Sequence, residues 1–324
     1  MRPLFLLQAT SVLATTLLHK ARPMESRQDD GTVQILVTNK CADTIWPGVS
    51  ENNGLSNDGF ELASGDSRNV SISSTWKGRI WGRTNCTFPN GDSLPGGCLT
   101  GECGAMKCVQ AGNPPATLAE FDMSGAGDQA YYDISLVDGY NLPMAIVLIP
   151  NGVPALSNVK LNQKNPACVG SVNGLAPPDF NPYSGGNSYL GTTSGDELPF
   201  EKRSTAQDVS SWCPFDLLVS PPPTPGNGVY PYPDGNIQRP AFNPCNSACL
   251  KYRKAKYCCT GSYGRGKCQP NYYSRAAKAI CPDTYTFAYE DTSSLFSVDK
   301  GGSWEVIFCP GGRSTNILAG SRAT

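Results

Sequence analysis

From residue 32 onward, short runs of alternating apolar and polar residues recur along the chain. Each run is bounded by Gly, Asn, Asp or Ser, and this pattern predicts half-buried β-strands joined by turns. Such runs occur at residues 33–38 and again at 304–309, close to the end of the chain. We therefore predict a β-sandwich in which the first and last strands meet. The predicted strands cover residues 33–38, 67–72, 78–83, 117–122, 131–136, 144–149 and 304–309.

The segment between Cys168 and Cys281 has a different pattern. Residues 169–212 and 218–244 are rich in Gly, Pro, Ser and Asn with little periodicity, which predicts surface loops. Two helical stretches follow at residues 246–254 and 273–280, the first opening on a good N-cap. A helix-and-loop segment with many cysteines inside a β-rich chain indicates a small second lobe held by disulfides.

The cysteines and the single histidine limit the kinds of catalysis and metal binding that the protein can carry out. Fourteen cysteines without a Cys-x-x-Cys pair favour seven disulfides over a metal site, and so an oxidising compartment. The one histidine, His19, lies in an apparent targeting segment, so Ser-His-Asp and Cys-His catalysis and histidine-ligated metals are excluded. We therefore expect no metal and no cofactor, and any chemistry must rest on carboxylates. With a net charge of −1, the chain lacks the excess of positive charge that is typical of nucleic-acid-binding proteins.

The termini and two sequons point to secretion. Residues 1–21 are interpreted as a signal peptide, with a short pro-segment extending to about residue 27, and no other apolar run approaches the roughly 20 residues of a membrane span. Asn69 and Asn85 begin N-glycosylation sequons, although Cys86 makes the second a poor acceptor. We expect a soluble monomer that is extracellular or in the cell wall, ending in a C-terminal tail at residues 311–324.

Several sequence blocks, in one order, resemble the thaumatin-like family (pathogenesis-related family 5). They are GRIWGRTNC at 78–86, CLTGECG at 98–104, PPATLAEF at 114–121, YYDISLVDGYNLPM at 131–144, YCCTG at 257–261 and CPDTYTFAY at 281–289. Long insertions between Cys168 and Cys245 are similar to those of the family's fungal members.

The resemblance implies a fold and a set of disulfides. The fold is a mainly β, flattened sandwich within residues 32–310 (32–160 and 282–310), a disulfide-rich second lobe (168–281) and an acidic cleft between them. The implied cysteine pairs are Cys41–Cys309, Cys86–Cys98, Cys103–Cys108, Cys168–Cys281, Cys213–Cys245, Cys249–Cys258 and Cys259–Cys268.

The resemblance further implies which side chains line the cleft: one arginine, Arg83, and the acids Glu120, Asp133, Asp138 and either Glu290 or Asp291. Glycoside hydrolysis needs one protonated carboxyl and one ionised carboxylate. Crowded acids raise one another's pKa, and a guanidinium lowers the pKa of its nearest partner. We interpret Glu120, among apolar neighbours, as the acid and Asp138 as the base or nucleophile, with Arg83 and Asp133 orienting them. Three aromatic residues are candidates for sugar stacking but fit core positions better: Trp81, Phe121 and Tyr140.

Functions of different classes fit these features. The first is a weak endo-β-1,3-glucanase acting on cell-wall β-1,3-glucan. The alternative is a non-catalytic protein that binds glucan or another cell-wall polysaccharide, or that acts against fungi by perturbing a membrane. Inhibition of other hydrolases also lies within the family's range. The cationic run at residues 251–256 is interpreted as a solvated helix face rather than a membrane-docking patch.

Overall fold

The computed structural model describes residues 31–52, 54, 57–89, 97–160, 163–171, 211–220, 244–310 and 314–320. The signal peptide and pro-segment predicted within residues 1–27 lie outside these ranges. So do most of the two predicted loops, at 172–210 and 221–243, and parts of the predicted tail, at 311–313 and 321–324.

Eleven strands form two sheets in the described part of the chain. In chain order they are β1 (Thr32–Asn39), β2 (Trp46–Glu51), β3 (Asn57–Gly59), β4 (Ser67–Ser73), β5 (Lys77–Arg83), β6 (Leu118–Gly125), β7 (Gln129–Ser135), β8 (Met144–Ile149), β9 (Ala167–Cys168), β10 (Phe296–Asp299) and β11 (Ser303–Phe308). One sheet has the order β4-β1-β11-β8-β9 and the other β10-β7-β6-β5-β2-β3. The mainly β sandwich expected from the alternating runs is therefore confirmed.

The first and last strands meet as predicted. β1 and β11 are parallel neighbours in the middle of the five-stranded sheet, with Ile35 opposite Trp304. β4 and β8 then pair antiparallel on either side of them. This order places the two ends of the domain side by side at the centre of a sheet rather than at its edge.

The core lies between the sheets and explains the alternation. Phe121, Tyr132 and Trp304 are buried there, with the Trp304 ring 5.9 Å from Phe121 and 6.1 Å from Tyr132 between centroids. Successive side chains of a strand point to opposite faces. The residues between these apolar positions on β6 and β7 therefore lie on the outer face of the six-stranded sheet.

Short helices make up much of the second lobe and the connections. They are α1 (Pro154–Ser157), α2 (Ala248–Tyr252), α3 (Ala255–Cys258), α4 (Tyr272–Ile280) and α5 (Ile317–Gly320). The helix predicted at 246–254 ends earlier because Arg253 adopts a left-handed conformation with φ of 52°. The second predicted helix begins one residue earlier, where Asn271 and Ser274 form a capping box. Among the described residues, no helix has the length and apolar character that crossing a membrane requires.

All fourteen cysteines are paired, and the pairs are those that the resemblance implies. Cys41–Cys309 joins the chain after β1 to the chain after β11. Cys168–Cys281 joins β9 to the end of α4, and so connects the sandwich to the second lobe. The described part of the predicted tail also packs on this junction: the amide of Ile317 donates to Asp283 at 2.7 Å, and its side chain is buried.

Cys213–Cys245 holds the start of the second lobe against the sandwich. The disulfide joins the two described segments that flank residues 221–243, and both cysteines are buried. The backbone of Cys245 also exchanges hydrogen bonds with that of Tyr140, at 2.8 Å in each direction. The predicted surface loop at 218–244 needs correction at its first residue, since Leu218 is buried and bridges to Cys245. Composition did not show this burial, because it comes from the contact that the disulfide fixes.

Candidate functional site

A row of three charged side chains crosses the outer face of the six-stranded sheet. The strand register places Arg79 on β5 opposite Glu120 on β6, and Glu120 opposite Asp133 on β7. Directly opposite residues have Cβ atoms about 4.5–5.5 Å apart, so these side chains interact. Nε of Arg79 lies 3.7 Å from Oε1 of Glu120.

A fourth charged group approaches this row from the chain that follows the second lobe. Tyr285 is bridged in parallel to Ser135 at the end of β7, which brings residues 285–291 alongside the sheet. Its hydroxyl donates to Asp291 at 3.0 Å. Asp291 and Glu120 both help to raise the pKa of Asp133 electrostatically, after the larger effect of burial. Asp291 therefore belongs to the same site.

Asp138 completes the group from the turn after β7. Its charge contributes to raising the pKa of Glu120, and it also affects Tyr273 of α4, whose buried hydroxyl donates to the carbonyl of Leu136 at 2.7 Å. We call Glu120, Asp133, Asp138 and Asp291 the acidic cluster. It lies where the outer face of the six-stranded sheet meets the second lobe.

Burial is the largest cause that raises the pKa of the two central carboxyl groups. The pKa of Glu120 is raised by desolvation, and Asp138 adds to this effect, while Arg79 and the Ser135 hydroxyl oppose it. The pKa of Asp133 is raised well above its ordinary value, first by desolvation and then by Glu120 and Asp291. Oδ1 of Asp133 is shielded from solvent and has no hydrogen-bond partner in the described part of the protein. The Glu120 side chain is 33% exposed, so solvent and ligands can reach it.

The structure separates the two consecutive acids at 290 and 291. Glu290 turns away from the cluster: it accepts from the amide and hydroxyl of Thr286 at 2.8 and 2.9 Å and pairs with Lys278 at 3.1 Å. Asp291 is 44% exposed and pairs with Arg265 of the second lobe at 3.4 Å. Asp291 therefore takes the fourth acidic position, and Glu290 holds the loop after α4 in place.

Arg83 does not line the acidic cluster, and its interpretation as the cleft arginine needs correction. Its side chain is 0% exposed. Its guanidinium donates to the carbonyls of Trp46 and Ala105 at 2.7 Å and of Met106 at 2.6 Å. Burial lowers its pKa to about 10. Arg83 thus joins the end of β5 to the loop closed by Cys103–Cys108, and Arg79 is the cation that pairs with Glu120.

The strand register identifies Arg79 as the arginine that faces Glu120. Arg79 and Arg83 are four residues apart on one strand, so both point to the same face. Only Arg79 has an acid opposite it, whereas the chain beyond Arg83 leads into a cysteine-bonded loop that covers the arginine. Sequence motifs alone did not distinguish the two arginines because both lie within GRIWGR.

The aromatic candidates are core residues. Trp81 and Phe121 are buried, and the Trp81 indole donates to the carbonyl of Gly101 at 2.8 Å. Tyr140 is buried too, with its ring against Trp212 and its hydroxyl 2.9 Å from that of Ser171. Tyr140 therefore joins the sandwich to the start of the second lobe, and its ring has no open face for a sugar.

Both predicted glycosylation sites lie on the surface. Asn69 on β4 and Asn85 after β5 are both exposed, as an acceptor asparagine must be. Within the described ranges, no three His, Cys, Asp or Glu side chains are arranged so that they could hold a metal ion.

Comparison with known proteins agrees with this architecture. The Thaumatin family matches residues 39–310. The chain is 32% identical over 280 residues to thaumatin-like protein 1 of Pyrus pyrifolia, which covers 84% of this chain and 89% of that protein. It is 33% identical over 275 residues to pathogenesis-related protein 5 of Arabidopsis thaliana, covering 84% and 88% respectively.

Among solved structures, a thaumatin-like xylanase inhibitor is 29% identical, with a TM-score of 0.31 over 35% of this chain and 75% of that one. This partial overlap adds nothing to the fold described above. The family match and the two plant relatives each cover most of the chain, and the protein belongs to the thaumatin family.

Proposed function

We propose that the protein is secreted and that its acidic cluster binds cell-wall β-1,3-glucan and hydrolyses it slowly as an endo-acting enzyme. One observation carries the proposal: Glu120, an acid whose pKa is raised by burial, stands partly exposed among three other carboxyl groups. Glycoside cleavage requires a carboxyl group that stays protonated to donate to the leaving oxygen and a second that is ionised. In this proposal Glu120 takes the first role and a neighbouring carboxyl group of the cluster takes the second.

The proposed roles follow from exposure and charge. Glu120 donates the proton, because its side chain is accessible and its pKa is raised. Asp138 acts as the base or nucleophile. Oδ1 of Asp133 is shielded from solvent, and we assign Asp133 as a positioning residue whose raised pKa limits the negative charge beside Glu120. Arg79 and Asp291 bind the sugar hydroxyls at the two sides.

Glucan binding without turnover is the second candidate. The observation that favours it is the Arg79–Glu120 pair, because a guanidinium 3.7 Å away stabilises the ionised form of the proposed acid. An ionised Glu120 could accept hydrogen bonds from sugar hydroxyls and could not donate a proton. Either candidate has the same partner, a neutral cell-wall polysaccharide, and the same secreted location.

One set of measurements distinguishes the candidates. Reducing-sugar release from laminarin and retention on insoluble β-1,3-glucan are compared for the wild type, Glu120→Gln and Asp138→Asn. Asp122→Asn is the matched control, because Asp122 lies on the same strand and face but pairs with Lys77 outside the cluster. If the protein is a hydrolase, turnover should fall by roughly 10²–10⁴-fold in Glu120→Gln and Asp138→Asn, while their retention on insoluble glucan stays unchanged. Unchanged hydrolysis in folded Glu120→Gln and Asp138→Asn would refute catalysis, and retention changed in the same variants would support binding alone.

A further inference from the structure

Positive charge is concentrated in one short segment of the second lobe. Residues 247–268, which contain α2 and α3, carry no acidic residue, while the whole chain has a net charge of −1. The rest of the protein is correspondingly acidic. The segment holds six cations: Lys251, Arg253, Lys254, Lys256, Arg265 and Lys267. We call them the basic surface.

The basic surface is exposed and its backbone is held in place. Residues 251–256 are exposed throughout, as are Arg265 and Lys267. Cys249–Cys258 joins α2 to α3, and Cys259–Cys268 closes the loop that follows. The cations are therefore presented at fixed backbone positions, and binding a ligand would order only their side chains.

Tyrosine rings lie between these cations. Tyr252, Tyr257 and Tyr272 form a chain of rings with centroids 6.0 and 6.2 Å apart. The hydroxyls of Tyr252 and Tyr272 both donate to the same oxygen of Asp216 at 2.6 Å, which fixes the two rings. The ammonium groups of Lys254 and Lys256 lie 5.7 and 4.9 Å from the Tyr252 and Tyr257 ring centroids. A lysine over a ring keeps ammonium protons free for an anionic acceptor.

Only one of the six cations has an acidic partner. Arg265 pairs with Asp291, whereas Lys251, Arg253, Lys254, Lys256 and Lys267 form no ion pair within the described part of the chain. Five uncompensated cations around fixed tyrosines complement a ligand with regularly spaced negative charges. The exposed apolar side chains of the segment are tyrosines, Tyr252 and Tyr263, without an exposed Leu, Phe or Trp. A surface that inserts into lipid needs such residues, so the composition favours a polysaccharide over a membrane.

We propose that the basic surface binds an anionic, uronate-bearing polysaccharide. The lysine ammonium groups and Arg253 pair with its carboxylates, and the tyrosine ring edges and hydroxyls contact its sugar rings. This site is separate from the acidic cluster and does not depend on the glucan proposal. Arg265, which contacts Asp291, marks the border between the two regions of opposite charge.

The test uses polygalacturonate in metal-free buffer as the probe, with affinity measured over a range of salt concentrations. The triple variant Lys251→Gln/Lys254→Gln/Lys256→Gln is compared with Lys40→Gln/Lys107→Gln/Lys160→Gln, which removes the same charge at exposed positions outside the segment. We expect the first triple to lose about tenfold or more in affinity, because clustered charges act together on a polyanion, and the second to lose little. Wild-type binding should weaken as salt rises.

Three results would overturn the proposal. They are no binding of polygalacturonate by the wild type, equal losses in the two triples, and equal affinity for neutral laminarin that the first triple also abolishes. The first of these results, together with binding to phosphatidylserine vesicles that the first triple weakens, would point to a membrane as the partner of the basic surface. Melting temperatures show whether each variant is folded. If the triple variant does not fold, Lys251→Gln alone is tested, with a smaller expected loss of affinity for polygalacturonate.

Discussion

Arg79 lies directly opposite Glu120 across the β5–β6 pair, with 3.7 Å between Nε and Oε1. This pair, and not Arg83, sets the charge balance of the acidic cluster. Burial and Asp138 raise the pKa of Glu120, while Arg79 lowers it. Arg79 therefore lowers the pKa of Glu120, and its partly exposed side chain can be changed without disturbing the core.

Replacing Arg79 should raise the pKa of Glu120 further. In Arg79→Gln the guanidinium charge is gone, and burial and Asp138 act without opposition from it. Following the Glu120 carboxyl by NMR over a pH titration measures the effect. Lys77 lies two residues before Arg79 on β5 and pairs with Asp122. Lys77→Gln should therefore leave the pKa of Glu120 unchanged. A lower pKa in Arg79→Gln would contradict the electrostatic account.

Asp133→Asn should stabilise the fold at neutral pH. The pKa of Asp133 is raised in the folded protein, so folding favours its protonated form. Stability from this group is complete below the ordinary pKa of an aspartate in the unfolded chain and is lost as pH rises towards the raised folded value. The asparagine does not ionise and avoids that loss. The gain in melting temperature should thus be small near pH 4 and larger at pH 7.

The control for this experiment is Asp299→Asn, on the exposed part of β10. Asp299 is exposed, so its replacement gives the effect of removing a surface carboxylate from the same sheet, with which Asp133→Asn is compared at each pH. If Asp133→Asn melts at a lower temperature than the wild type at pH 7, the carboxylate has a stabilising partner and the assignment of a protonated Asp133 is wrong.

Arg83→Gln should destabilise the protein far more than Arg79→Gln. Three buried carbonyls lose a charged donor in the first variant. Each unsatisfied buried group costs about 1–3 kcal/mol, so we expect a loss of several kcal/mol in the free energy of unfolding. Arg79 is partly exposed and its ion pair is worth about 1 kcal/mol or less. Chemical denaturation of both variants gives the comparison, and equal losses would refute the distinction between the two arginines.

When the protein is produced through a secretory pathway, Asn69 should carry an N-glycan and Asn85 should not. Both are exposed, but Asn85 is followed by Cys86, which is closed in a disulfide with Cys98. Asn69 lies on β4, the edge strand of its sheet, where a glycan would also block pairing with another chain. Mass spectrometry after enzymatic deglycosylation identifies the modified asparagine. A glycan on Asn85 alone would be the opposite of this expectation.

The alternating pattern predicted seven strands correctly, because each has a face in the apolar core. β2, β3, β9 and β10 were not predicted: β9 has two residues and β3 three, and β2 is buried on nearly every residue, so alternation is absent. The acids of the site could be identified from motifs, since Glu120 and Asp133 lie within them. Which arginine lies beside Glu120, and which of Glu290 and Asp291 lies near Asp133, could not be predicted, because these placements depend on cross-strand register and on the contact between Glu290 and Lys278.

The parallel pairing of β1 with β11 has a consequence for how the chain is made. A ribosome delivers β1 first and β11 last, with 263 residues between Asn39 and Ser303 still to be synthesised when β1 emerges. The five-stranded sheet cannot be completed until nearly the whole polypeptide has been delivered, and Cys41 must wait as long for Cys309. Meanwhile the local cysteine pairs at 86–98, 103–108, 249–258 and 259–268 can close as soon as each short stretch appears. Assembly should therefore depend on protection of the early strand and its thiol, and truncation shortly before β11 should leave a chain that cannot mature.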